Sequence, residues 1–275
     1  MLSFNLANKG KMLSFASGCG LSCDLVHPRT IQEKLMWLNI YDVDPLKVVC
    51  ADKLKVKDWV KDKLGVDICV PTLKVWDCVD DMNIGELPKS FVLKCNHGSG
   101  MNIIVRDKDG FDVMNAKHNL GKWLNRDFAF QNGFESHYHW IDRKVFAEEM
   151  LGGNVSDYKF ICFNGVPTFM QIISDRSGSS RRLNYYDMDM KPIIGLSRKD
   201  FRTDFSLGDV IPKEFALMKE YARKLSEPFK FVRVDFYEVD GRVLLGELTF
   251  TPGAFVFRYR NSNDEYRVGD MLKIG

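Results

Sequence analysis

Apolar residues recur at helical spacing near the start of the chain and alternate with polar residues in much of the remainder. One helix is predicted after Thr30, which can cap it, and Asp44-Pro45 marks its end. A second helical period runs from about Asp52 to Leu64, with Gly65 as the C-terminal cap. The first 26 residues carry little pattern.

Short apolar segments dominate the chain after Pro88, and helical periods interrupt them near 115–130 and 212–225. The segment that ends at Leu151 is followed by Gly152-Gly153-Asn154, which is typical of a hinge. Strands are predicted at 66–75 (interrupted by Pro71), 90–93, 103–107, 143–151, 157–163, 168–174, 182–188 and in a hairpin at 229–250.

Many strands, few helices and a glycine joint predict an α+β chain with two lobes. We expect a short, mainly helical N-terminal region at 1–85 and a first lobe with a glycine loop at 86–152. A second lobe with a metal site is expected at 153–275.

Composition and charge narrow the function classes. The net charge of +2, from basic residues scattered among acidic ones, does not form the cationic footprint that nucleic acid requires. No apolar run approaches the roughly 18 residues of a membrane span, and the run before Cys19 is too short for a signal peptide. An odd number of dispersed cysteines fits a reducing compartment. We therefore expect a cytoplasmic protein without a nucleic-acid partner, and the sequence leaves work at a membrane surface open.

A glycine loop, Gly98-Ser99-Gly100, lies between two predicted strands and begins four residues after Lys94. It matches neither the Walker pattern nor a dinucleotide-binding fingerprint. It is either a flexible hairpin or a loop whose backbone N–H groups cover phosphate. Lys94, at the end of its strand, is correspondingly either a solvated side chain or a point charge beside a phosphate.

The C-terminal hairpin carries two acidic residues in apolar strands, Asp235 and Glu247. A two-residue turn at Asp240-Gly241 would pair Asp235 with Gly246, whereas a bulge or a three-residue loop would set Asp235 opposite Glu247. We predict the second arrangement, because facing carboxylates repel unless a cation such as Mg²⁺ lies between them. Unrelated exposed acids on a solvated face are the alternative.

Glu148 and Glu149 lie on opposite faces of an apolar strand just before the glycine joint. One of them is expected to face a cleft, where it could bind the amino group of a nucleotide base. A buried glutamate paired with a lysine explains the same pattern equally well.

These features, in this order, resemble the ATP-grasp superfamily, and its TupA-like branch in particular, along nearly all of Pro28 to Leu272. Four phrases carry the resemblance: ADKLKVKDWV, FVLKCNHGSGMNIIV, DYKFICFNGVPTF and FVRVDFYEVDGRVLLGELTFTPG. The resemblance implies the ATP-grasp fold, with ATP between two α+β lobes and Mg²⁺ as the cofactor. It departs from many ATP-grasp ligases at Thr249, where those enzymes carry asparagine.

The resemblance also assigns roles to individual residues. Arg233 would steady the transferring phosphate, and either Arg181 or Arg182 could contact the same anion. Asp235 and Glu247 would bind Mg²⁺, with Thr249 beside them in an uncertain role. The implied nucleotide-binding residues are Lys53, Lys94, Lys159, the loop Gly98, Ser99 and Gly100, the adenine-pocket residues Glu148, Glu149 and Leu151, and Asp157 near the ribose.

The implied reaction joins a carboxylate to an amine through an acyl phosphate, with ADP and phosphate as products. For this branch the expected substrates are an amino acid or another amine and a uronic acid of a capsule or cell-surface polysaccharide, or its precursor. Two other hypotheses stay open: a sugar phosphotransferase or glycosyltransferase, and a non-catalytic nucleotide-binding module. His97 beside the loop is a minor candidate for a base, because a single loop histidine is more often structural.

Overall fold

The computed structural model describes residues 1–152, 156–174 and 181–275. The predicted hinge residues Gly153 and Asn154 lie outside the described residues. The helices are α1 (Leu2–Gly18), α2 (Ile31–Tyr41), α3 (Pro45–Ala51), α4 (Lys55–Leu64), α5 (Val113–Leu124), α6 (Phe215–Ser226) and α7 (Asn263–Met271), with short 3₁₀ turns at Phe128–Phe130, Ser136–Trp140 and Pro252–Phe255.

The first sheet has four antiparallel strands in the order β1-β4-β2-β3. They are β1 (Thr72–Trp76), β2 (Phe91–Cys95), β3 (Asn102–Val105) and β4 (Val145–Glu149). Phe91, Leu93 and Cys95 of β2 are buried, whereas Lys94 on the other face is half-buried. This alternation confirms the predicted orientation of Lys94, and β2 lies inside the sheet instead of at its edge.

The second sheet has five antiparallel strands in the order β7-β6-β5-β8-β9. They are β5 (Asp157–Phe163), β6 (Val166–Ser174), β7 (Arg182–Asp187), β8 (Phe231–Val239) and β9 (Arg242–Thr249). α6 packs on one face, where Met218 of the helix and Phe160 of β5 join one core. Ile161 and Phe163 on the other face join a core with α1 and α2. Because both faces are covered, every residue of β5 is buried.

Local signals explain several helix ends. Thr30 accepts a hydrogen bond from the Glu33 N–H, and Glu33 in return accepts from the Thr30 N–H, so α2 begins with a capping box. Gly65 ends α4 with φ 74°, which confirms its predicted role as a C-cap. The predicted helix from Asp52 is shorter than expected, because α3 precedes it and α4 begins only at Lys55.

Three helices were missed from the sequence, α1, α3 and α7. α1 has no one-sided apolar stripe, since its buried residues include Asn5, whose amide donates to the backbone carbonyls of Asn39 and Ile40. α3 begins at the Asp44-Pro45 pair that had been interpreted only as the end of the previous helix. The Asp44 side chain caps it, and proline is well tolerated in the first turn.

The predicted helix at 115–130 ends at Leu124 and is followed by the 3₁₀ turn at Phe128–Phe130, which Asp127 caps. The predicted domain boundary at 85/86 falls within one sheet, because β1 pairs with β4. None of the described helices is long and apolar enough to cross a membrane. The seven cysteines are free thiols in the part of the chain that the structure describes.

Candidate active site

A cleft of about 210 Å³ lies between the two sheets. The first sheet contributes Lys94 and Glu148 to its wall, and the second contributes Lys159, Asp235 and Glu247. Ser99 and Gly100 of the glycine loop, Lys53 and Asp157 also line it. The fold therefore brings most of the predicted nucleotide and metal residues to one place, although they are spread over nearly 200 positions of the sequence.

The carboxylate hairpin has the predicted register. Asp235 pairs with Glu247, and Phe236 pairs with Leu245, so Gly246 is the extra residue of a β-bulge. The turn itself has two residues, Asp240 and Gly241, both with positive φ. A Cβ at Gly246 would lie 3.1 Å from the Tyr237 ring and 3.2 Å from the Asp235 carbonyl oxygen, so a larger residue would have to displace these neighbours.

Cations of the protein itself neutralise this carboxylate pair. The Arg233 guanidinium donates to Asp235 Oδ1 at 2.6 Å, to Asp235 Oδ2 at 2.7 Å and to Glu247 Oε1 at 2.6 Å. Lys159 donates to Asp235 and lies 2.7 Å from an Asp157 carboxylate oxygen. The facing carboxylates therefore do not by themselves require a metal, because Arg233 already lies between them.

Electrostatics in the cleft keep Glu247 ionised. Burial alone would raise the pKa of Glu247, but Arg233, Lys159 and Lys53 outweigh it and lower that pKa to about 2. Burial lowers the pKa of Lys159, and Arg233 lowers it further against the opposing effect of the carboxylates. A polyphosphate bound in the cleft would add negative charge beside Lys159 and Arg233, which favours the charged form of Lys159.

The donor set suits Mg²⁺. Among the described residues, no group of three or more His, Cys, Asp or Glu side chains could hold a metal alone. Mg²⁺ commonly takes only one or two carboxylates, together with phosphate oxygens and water. The described hydrogen bonds of Glu247 all involve Oε1. Thr249 donates to that same oxygen at 2.9 Å, so its hydroxyl orients Glu247.

Glu148 is held by two lysines. Lys94 forms an ion pair with one carboxylate oxygen, and Lys57 donates to the other at 2.8 Å. Lys57 also donates to Val70 O and to Thr72 Oγ1, both at 2.6 Å. The sequence allowed either a glutamate that faces a cleft or a buried glutamate paired with a lysine. Glu148 is both, because it is buried, paired with lysines and part of the cleft wall.

Sequence reasoning overlooked Lys57. It lies four residues after Lys53 and so one helical turn further along the same segment, which is the signal that could have identified it.

The glycine loop is anchored at its first residue. Lys53 donates to the Gly98 carbonyl oxygen, and a Cβ at Gly98 would lie 2.4 Å from the Phe128 ring. Gly100 has φ 72°, which favours glycine. His97 is fully buried with its Nε2 near the Trp123 and Arg126 carbonyls, and burial lowers its pKa to about 4. His97 is thus a neutral structural residue beside the loop.

Seven predicted site residues do not line this cleft. Gly98, Arg233 and Thr249 are hydrogen-bonded to residues that do, and the other four are two arginines and two residues at or just after the end of β4. Arg182 forms an ion pair with Asp209 at 3.2 Å, and the Arg181 guanidinium lies over the Phe201 ring at 5.4 Å. The remaining two are Glu149, which is exposed, and Leu151, which is half-buried. The Glu149 backbone N–H donates to Pro71 O at 3.0 Å, which ties β4 to the segment before β1.

A second cavity, of about 330 Å³, adjoins the cleft and shares Ser99, Tyr138 and Glu247 with it. Arg233, Thr249 and the turn that follows β9 also line it. In that turn Gly253, Ala254 and Phe255 all have positive φ. Consecutive non-glycine residues in this region are strained, and such strain clusters at functional sites.

The sequence analysis did not identify two lining residues of this second cavity, Glu135 and Tyr138. Both lie in or beside the 3₁₀ turn at Ser136–Trp140, whose residues show no period that would place them at a site. The Glu135 side chain meets the turn after β9 through Thr251, which lies 116 residues later in the sequence.

Several solved structures are similar to this chain. The D-alanine–D-alanine ligase from Bacillus anthracis, complexed with ATP, is 16% identical with a TM-score of 0.46, covering 74% of this chain and 55% of that one. The L-amino acid ligase from Bacillus licheniformis is 15% identical with a TM-score of 0.46, covering 82% and 49%. This chain therefore spans about half the length of these proteins.

No curated protein matches the sequence. The family described as TupA-like ATPgrasp matches residues 33–273, which is most of the chain and includes every residue placed in the cleft above. The arrangement of two sheets around the cleft is the ATP-grasp fold, and the chain belongs to the TupA-like ATP-grasp family.

Proposed function

We propose that the chain is an ATP-dependent carboxylate–amine ligase that works through an acyl phosphate and releases ADP and phosphate. The observation that carries this proposal is the convergence of Lys53, Lys94 and Lys159 on one cleft with Asp235 and Glu247. Arg233 donates to both of these carboxylates from beside the cleft. Cations beside two carboxylates that can share Mg²⁺ with phosphate oxygens suit a polyphosphate and a transferring phosphoryl group.

In this proposal Lys53, Lys94 and Lys159 bind the phosphates, and the loop Gly98–Gly100 excludes water from them. Asp235 and Glu247 hold Mg²⁺, which would neutralise charge on the phosphate oxygens when bound. Arg233, fixed by both carboxylates, stabilises charge that develops on the transferring group.

The nucleoside part of ATP is proposed to lie toward Glu148, between the two sheets. Val70, Phe146 and Leu248 give this side of the cleft an apolar surface, as a base requires. Glu148 is the carboxylate that we propose for the adenine amino group, and Asp157 lies at the same cleft for the ribose. Glu149 and Leu151 stay predictions for this pocket.

The two substrates are proposed to be an amino acid or another amine and a uronic acid of a capsule or cell-surface polysaccharide, or its precursor. Membership of the TupA-like family is the support for the sugar acid. We place the reaction in the cytoplasm, where ATP is available and free cysteines persist.

An ADP-release screen tests the proposal. The chain is incubated with ATP, Mg²⁺, glucuronate or galacturonate, and the standard amino acids, and nucleotide products are separated. ADP formation that requires both a carboxylate and an amine supports the ligase.

AMP and pyrophosphate would contradict the ligase proposal. ADP with a phosphorylated sugar and no need for an amine would instead indicate a sugar kinase. The exposed Glu220 on α6 supplies a matched control, Glu220→Gln, which should behave as the wild type.

A further inference from the structure

The second cavity contains a carboxylate without a cationic partner. Glu135 is 4% exposed and lines the cavity together with Arg233, Glu247 and Thr251. Its carboxylate accepts a hydrogen bond from the Thr251 hydroxyl. Within the described residues, no Lys, Arg or His forms an ion pair with it, and no cationic neighbour counteracts its burial. A buried carboxylate in this state is costly, and such groups are rarely present without a function.

Backbone contacts on both sides fix the position of Glu135. The Glu135 N–H donates to Ala129 O at 2.8 Å, and its carbonyl oxygen accepts from the Tyr138 N–H at 3.3 Å. The hydrogen-bond partner of the Glu135 side chain, Thr251, begins the strained turn, and the Thr251 carbonyl oxygen accepts from the Ala254 N–H at 3.0 Å. These contacts hold Glu135 between the 3₁₀ turn at Phe128–Phe130 and the turn that follows β9, where it lines the second cavity.

The environment of Glu135 makes it a proton acceptor at neutral pH. Burial raises its pKa to about 7, against the smaller effect of the Thr251 hydroxyl. The charged or titratable groups that line the same cavity are Arg233 and Glu247, from β8 and β9, and Tyr138 from its own segment. A base whose pKa lies near the working pH is the most effective in proton transfer.

The cavity has the size and lining for a small amine. A volume of about 330 Å³ holds on the order of ten water molecules, which is enough for an amino acid. Phe15 and Phe128 give it apolar walls, and Glu135 adds a carboxylate whose described hydrogen bond comes from Thr251. Phe15 belongs to α1, which precedes residues 33–273 that match the family. The family match therefore does not include this wall of the cavity.

We propose that Glu135 binds the ammonium group of the second substrate, a primary amine of amino-acid size, and takes one of its protons. This inference rests on the proposed ligase function. The ammonium nitrogen gives a proton to the Glu135 carboxylate and gains a free electron pair. That pair forms the C–N bond at the acyl carbon, the C–O bond to the phosphoryl group breaks, and phosphate leaves. The second N–H proton of the adduct goes to the departing phosphate.

Hydroxylamine distinguishes a Glu135 that deprotonates the amine from a Glu135 that only supports the structure. It is uncharged near neutral pH and attacks acyl phosphates without a base, giving a hydroxamate. Wild type, Glu135→Gln and Glu220→Gln are each given ATP, Mg²⁺ and glucuronate or galacturonate. ADP release is measured with no nucleophile, with hydroxylamine, and with a mixture of the standard amino acids.

Glu135→Gln should keep the hydroxylamine rate within about threefold of wild type and lose about 100-fold or more of the amino-acid rate. Glu135→Asp retains a carboxylate and should recover at least about tenfold of that loss. Glu220→Gln should match the wild type in every arm.

Three results would overturn the inference: equal losses of Glu135→Gln in both arms, no loss in either, or a wild type that uses hydroxylamine but none of the amino acids. A wild type whose ADP release does not increase with hydroxylamine or with amino acids overturns the proposed function and the inference that rests on it. The hydroxylamine arm therefore distinguishes the two failures.

Discussion

Replacing Glu135 by glutamine should stabilise the protein at alkaline pH while it impairs the reaction. Burial raises the pKa of Glu135 from 4.5 to about 7. One pKa unit corresponds to about 1.4 kcal/mol, so the ionised Glu135 costs the folded state about 3 kcal/mol above pH 7. Glutamine is close in shape, can still accept the Thr251 hydrogen bond and carries no charge to desolvate.

The sign of the pH dependence follows from the raised pKa. Above about pH 7 the carboxyl is ionised in both states, and the folded state bears the full cost of burying the charge. As the pH falls below 7 the folded state binds a proton first, so the cost declines. Below about pH 4.5 both states are protonated and the cost is gone. The advantage of Glu135→Gln should therefore decrease from about 3 kcal/mol near pH 8 to nearly zero near pH 4.5.

Urea unfolding at both pH values measures this difference, with the midpoints and slopes of each variant fitted separately. Glu220→Gln serves as the control, because Glu220 is exposed and its pair with Lys224 contributes little at any pH. An advantage of Glu135→Gln that is the same at both pH values would refute the reasoning, and so would a loss of stability near pH 8.

Three further predictions concern the nucleotide cleft. Asp235→Asn should reduce ADP release by about 100-fold, because it removes a carboxylate that fixes Arg233 and Lys159 and is proposed to hold Mg²⁺; steady-state rates at several Mg²⁺ concentrations measure it. Gly246→Val should destabilise the fold by about 1–3 kcal/mol in urea unfolding and misplace Glu247, because its Cβ would press on the Asp235 carbonyl; unchanged stability would contradict the bulge argument. Binding of ATP should slow amide hydrogen exchange at Ser99 and Gly100, and equal exchange with and without ATP would count against loop closure.

Local chemistry made much of the second sheet predictable from the sequence. The period of two placed Asp235, Glu247 and Thr249 on one face, and the need to relieve carboxylate repulsion selected the register with a bulge. The register was right, although the structure supplies Arg233 as the cation between the carboxylates. The sequence showed that a cation was needed there, and it did not show which one.

Tertiary contacts determine the parts that the sequence did not predict. α1 lacks an apolar stripe because the buried Asn5 forms hydrogen bonds to α2. A search for apolar residues at helical spacing does not detect a helix that buries polar residues in this way. Glu135 looks like an ordinary loop glutamate, and only its contact with Thr251, 116 residues later, shows that it is buried beside the cleft. Lys57 is likewise one of many surface-like lysines until β4 brings Glu148 to it.

Transfer of oxygen from the carboxylate substrate to phosphate tests the proposed ligase activity most directly. A uronate with isotopically labelled carboxylate oxygens is incubated with the chain, ATP, Mg²⁺ and amino acids, and the released phosphate is analysed by mass spectrometry. An acyl-phosphate ligase must leave one labelled oxygen in each phosphate that it releases, with ADP as the other product. Unlabelled phosphate, or AMP with pyrophosphate, would contradict the account.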